Sequence, residues 1–177
     1  MLAQQPKDDC LANPAPAPQP AAILADLELT HSRLLSAIQN LAKTTRRPSP
    51  DKLEYSAARF RVSQASLARR TVFRAACTYF EAVASTAEQE TISRLRQADS
   101  DLGRLASQHV SRWSTERVAD QWDGYCCASR DMRRALLKQI ELERAMLFPL
   151  LRNQDSNRKD QIRLIPIDQF LAEESAV

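Results

Sequence analysis

Only two glycines, Gly103 and Gly124, occur in the 177 residues of this chain, well below the roughly 7% of average usage. A β-rich fold of this length needs many tight turns, and such turns draw on glycine for backbone conformations that other residues resist. Ala, Leu, Arg, Gln and Glu fill the chain instead, and all of them are strong helix formers. The sequence therefore predicts an all-α protein, and its length suits one domain.

Three tracts interrupt the helical pattern. Residues 1–21 carry five of the nine prolines and almost no large apolar side chains, so they cannot bury enough surface to offset the entropy of ordering and are expected to be a disordered tail. RRPSP at 46–50 separates two helical patterns, and the polar run NQDSNRKDQ at 153–161 is expected to close the folded region as a linker. Beyond it lie IRLIPI and a short C-terminal segment that together complete 153–177. Between the breaks the spacing predicts four helices, at 22–44, 51–84, 87–113 and 116–152. The second join is weakly marked, Ser114 is an N-cap candidate for the fourth helix, and Gly124 is a candidate division within that helix.

Each predicted helix carries an apolar stripe at three- and four-residue steps. The first has Leu24, Leu27, Leu34, Ile38 and Leu41; the third has Ile92, Leu95, Leu102, Ala106, Val110 and Trp113. The fourth has Val118, Trp122, Tyr125, Met132, Leu136, Ile140, Leu147 and Leu150, and the second, less regular, has Val62, Phe73, Ala76, Phe80 and Val83. Four such stripes on short connections predict an antiparallel up-down four-helix bundle over 22–152.

The net charge of +3 does not by itself imply a polyanionic partner. The bases are twenty Arg against five Lys, and Arg pairs bidentately and tolerates burial better than Lys. No apolar leader opens the chain, and the longest apolar run, 145–151, is too short to span a bilayer. A reducing cytoplasm with free thiols is the expected setting for Cys10, Cys77, Cys126 and Cys127, whose spacing lacks a zinc-binding CxxC.

Polar residues that interrupt the stripes carry the functional information. His31 and His109, the two histidines of the chain, both fall on inward faces, and reflecting positions through the loops places them at one level of the bundle. Glu143 keeps step with Leu136, Ile140, Leu147 and Leu150, Arg69 falls within the apolar arc of the second helix, and Asp99 and Glu88 lie at stripe edges. Unpaired charge in a core is costly, so these groups must meet one another, a ligand or water. The histidines read as hydrogen-bonded core residues, with metal ligation or ligand contact as alternatives; Glu143 reads as the partner of Arg69 or another arginine. Arg59, Arg61, Arg69, Arg70 and Arg74 occur with no acid between Glu54 and Glu81. Three of them, Arg59, Arg70 and Arg74, fall within ~60° on a helical wheel. That face is either solvated and paired with neighbouring acids or a binding surface for an acidic partner.

The segment QIELERAMLFPLL (139–151) resembles the last helix of the hemerythrin-like cation-binding family, in which a His precedes a Glu by four residues and a Leu-Phe-Pro follows. Glu143 and Leu147-Phe148-Pro149 match it, and Gln139 stands at the His position. LTHSRLLSAIQNL (29–41) resembles the family's first helix, with His31 at the ligand position, whereas His109 lies near the end of its helix rather than near the start. The resemblance implies a four-helix bundle with a non-haem di-iron centre held by histidines and carboxylates from all four helices. This chain departs from the pattern: two histidines cannot complete the set, and arginines at 69, 70 and 74 stand near where the second helix would supply one. The expectation is a degenerate member that has lost the di-iron site, holds no cofactor, and acts as a binding or regulatory module for a protein or acidic partner. The alternative is a protein binding iron or another divalent metal through His31, His109 and Glu143. No membrane or nucleic-acid partner is expected, and no catalytic motif points to an enzyme.

Overall fold

The computed structural model describes residues 19–163, and every element among them is an α-helix: α1 (Pro20–Thr44), α2 (Lys52–Val83), α3 (Thr86–Arg112), α4 (Thr115–Asp120) and α5 (Trp122–Arg163). The all-α expectation therefore holds. Most of the predicted N-terminal tail, and the apolar C-terminal segment from residue 164, lie outside the described residues. No described helix is long and apolar enough to cross a membrane.

Local chemistry explains the ends of these helices. Pro20 takes the first turn of α1, where its missing N–H would go unused. Asp51 caps α2 by accepting the Glu54 backbone N–H at 2.9 Å, and Ser114 caps α4 by accepting that of Arg117 at 3.3 Å. At the weakly marked join, the Glu88 carboxylate accepts both the Ser85 backbone N–H, at 2.7 Å, and its hydroxyl, at 2.8 Å. Ser85-Thr86-Ala87-Glu88 is thus the carboxylate half of a capping box, so Glu88 starts a helix rather than lining the core.

Two boundaries differ from expectation. The break in the fourth predicted helix falls at Gln121, where the backbone leaves helical geometry, and not at Gly124. The turn lets Val118 and Trp122 pack with Tyr55, Trp113 and Tyr125, while the Trp122 indole donates to the Arg47 carbonyl at 2.9 Å. At the other end α5 runs on through the polar stretch to Arg163. Nothing in that stretch is a helix breaker, and Gln154 fastens it to α3 by donating to Glu88 at 3.2 Å. Pro149 sits inside α5 without ending it, although proline forfeits one backbone hydrogen bond.

α1 packs against α2 and α5, and α3 packs against the same two, while α4 touches α2 and α5. The core is layered. Ile23, Leu27, Phe73, Phe80, Leu95, Leu147 and Phe148 form one apolar cluster; Leu34, Ile38, Leu102, Leu136 and Ile140 form a second; and the aromatic group of Tyr55, Trp113, Trp122 and Tyr125 closes the far end. Val83 and Val110, expected inside, are exposed.

Removing the Glu88 carboxylate (Glu88→Ala) should destabilise the protein by about 0.5–1 kcal/mol at neutral pH, as loss of a helix cap does. The hydrogen bonds from Ser85 hold the Glu88 pKa below 4.5. Its contribution is therefore present above the unfolded-state value and lost as pH falls through the folded one. Urea unfolding at pH 7 and pH 3 checks this: the gap between wild type and variant should shrink at the lower pH.

Candidate functional site

Between the first two apolar clusters lies a polar layer to which four helices contribute. In α1, His31 falls between Leu27 and Leu34; in α2, Arg69 precedes Phe73; in α3, Asp99 falls between Leu95 and Leu102; in α5, Glu143 falls between Ile140 and Leu147. All four polar residues are buried, and His31, Arg69 and Glu143 are entirely without solvent exposure.

Glu143 collects donors from three helices. His31 Nε2 donates to its Oε2 at 2.8 Å, Gln139 Nε2 donates to its Oε1 at 2.8 Å, and the Arg69 guanidinium donates to the same Oε1. The other arm of Arg69 donates to Asp99 Oδ1 at 2.6 Å. Asp99 also receives Arg70, whose Nε lies 3.1 Å from Oδ2 and whose terminal nitrogen donates to the Asp99 carbonyl at 3.0 Å. Gly103 makes that approach feasible, because a Cβ there would overlap the Arg70 guanidinium. Two guanidiniums thus face two carboxylates, and their formal charges cancel inside the core. His31 stacks on Phe148 with ring centroids 5.4 Å apart. Its Nδ1 and the Arg69 Nε have no hydrogen-bond partner.

The expected pairing of Glu143 with Arg69 is present. The expected pairing of the two histidines is not: His31 joins the polar layer, whereas His109 packs beside Tyr125, centroids 6.0 Å apart, in the aromatic end of the protein. Reflection through the loops failed because it took each loop to be centred, whereas His31 lies level with Arg69 and Asp99 and not with His109. Asp99, expected at a half-exposed stripe edge, is buried and is the second anchor of Arg69. Among the described residues, no three of His, Cys, Asp and Glu are grouped so as to hold a metal ion. The described cysteines are free thiols, and burial raises the pKa of Cys77 and Cys126 away from nucleophilic use.

The basic face of α2 is also redistributed. Arg59 and Arg70 line a cavity of about 220 Å³ between α2, α3 and α5, together with His109, Tyr125, Ser129 and Arg133. Arg74 lies outside it, in a shallower cleft with Arg70, Arg96 and Arg104. Within the cavity wall Arg59 donates to the Trp113 carbonyl at 2.5 Å and lies over the Tyr125 ring. Arg133 donates to Ser129 Oγ at 2.9 Å and to Thr45 Oγ1 at 3.0 Å. Burial lowers the pKa of Arg133, and burial with the nearby Arg59 charge lowers that of His109. Tyr125, Ser129 and Arg133 recur every four residues of α5, so the sequence held a signal for this wall that an apolar-stripe reading passes over.

Comparison with models of protein families, with curated proteins and with solved structures finds no match. Function is therefore read from the residues themselves.

Arg69→Met should cost about 3–5 kcal/mol in urea unfolding, because it leaves two carboxylates buried without their partner. Adding Glu143→Gln and Asp99→Asn to it should recover part of that loss. His109, with its pKa below 6.5 in the folded protein, takes up a proton more readily when unfolded. It therefore reduces stability as pH falls below the unfolded value. His109→Gln should flatten the fall in stability between about pH 6.5 and 5, measured by thermal unfolding.

Proposed function

We propose that the chain is a degenerate hemerythrin-like protein, an antiparallel up-down four-helix bundle, in which an arginine takes the place of the metal and the bundle acts as a binding or regulatory module. The observation that carries this reading is the position of Arg69, bonded to the Glu143 and Asp99 carboxylates together. The bundle reading draws support from the neighbours of each helix: α1 and α3 each pack on α2 and α5. It is supported too by the order in which each helix passes the apolar clusters.

A divalent ion bound by His31, Glu143 and Asp99 would have to displace a guanidinium already bonded to both carboxylates. Arginine does not ligate metals, and its own charge repels them. The Gln139 amide, at the position where the resemblance implies a His, donates a hydrogen bond to Glu143 and so leaves that carboxylate less able to act as a ligand. An enzyme reading lacks support as well: His31 has no solvent exposure, so its ring is closed to a substrate.

The test is metal content. Protein made without a histidine tag, incubated anaerobically with excess Fe²⁺ and with Zn²⁺ and then desalted, should retain far less than one ion per chain by plasma mass spectrometry. Retention of one or more ions per chain, lost in His31→Ala, would overturn the proposal and favour the cation-binding alternative.

A further inference from the structure

The cavity beside His109 carries an unusual charge balance. Three arginines, Arg59, Arg70 and Arg133, and one histidine line it, and no carboxylate does. Arg70 is matched by Asp99. Arg59 and Arg133 bond only to a carbonyl and to hydroxyls, and among the described residues neither forms an ion pair. Two partly buried cations with no counterion form a half-built ion pair, and their desolvation is offset only when an anion arrives.

The lining is otherwise mostly apolar, with Val62, Leu102, Ala106, Met132 and Leu136, and with the exposed Leu67 and Val110. The volume of about 220 Å³ exceeds the ~150 Å³ of an engineered cavity that takes up benzene. There is room for an apolar body of that order and a small charged head.

We propose that this cavity binds a small organic monoanion, a carboxylate with a compact apolar body, its head between Arg59 and Arg133 and its tail against Leu102, Ala106 and Leu136. The proposal deepens the binding-module reading and rests on it. Its failure is distinguishable from failure of the metal argument, because the polar layer and the cavity share only Arg70.

The test uses octanoate and its neutral counterpart 1-octanol with the full chain, followed by calorimetric titration. Octanoate should bind roughly tenfold more tightly than octanol, in keeping with a charge-assisted contact. Arg59→Gln and Arg133→Gln should each bring that ratio towards one. Ala106→Phe, which fills the cavity, should abolish binding of both; circular dichroism checks its fold, and Ser66→Phe blocks the site from α2 should that variant not fold. No binding of octanoate, equal affinity for octanoate and octanol, or undiminished binding in a folded cavity-filling variant would each overturn the proposal.

Discussion

The Arg69 guanidinium is the point on which the interior depends. A planar cation with fork-like donors can reach two acceptors at once, and here it joins Glu143 of α5 to Asp99 of α3 from its own place on α2. His31 and Gln139 complete the set around Glu143. Desolvating such charges is costly, and their mutual attraction offsets that cost only when the geometry is good and the remaining donors and acceptors are satisfied. The layer is accordingly less a source of net stability than a condition on assembly. Displacing α2, α3 or α5 by a turn parts Arg69 from at least one of its carboxylates, and breaking a buried pair costs about 3–5 kcal/mol.

That condition also shapes what lies on either side. Apolar clusters above and below the layer shield it from water and strengthen its ion pairs. Arg70 uses the space left by Gly103 to reach Asp99 from the edge of the layer, and from there one wall of the cavity begins. The cavity and the layer differ in charge balance. In the layer each cation has its carboxylate, and the result is closed; in the cavity two cations lack one, and the result is open to a ligand.

Much of this was legible in the residues. Glycine scarcity excluded a β fold, and stripe spacing located α1, α2 and α3 to within a few residues, because both follow from local backbone sterics and from the period of the helix. The inward positions of His31, Arg69 and Glu143 followed from the same period. The pairing of Glu143 with an arginine was foreshadowed by the arginines on α2. Capping at Ser85 was also written in the sequence, since Glu88 stands three residues on.

What the sequence alone determined, then, is the class of structure, the face each residue presents and the kind of group placed in the core, since each of these depends on neighbours within a turn or two. Which inward groups meet was decided only by the tertiary structure. His31 and His109 share a periodicity and not a neighbourhood, because the level at which residues of different helices meet depends on where α2 and α3 begin, which the stripes do not encode. The same holds for the cavity. Arg59, His109, Tyr125 and Arg133 come from three helices, and their charge is left unbalanced only because packing brings these residues together without an acid among them.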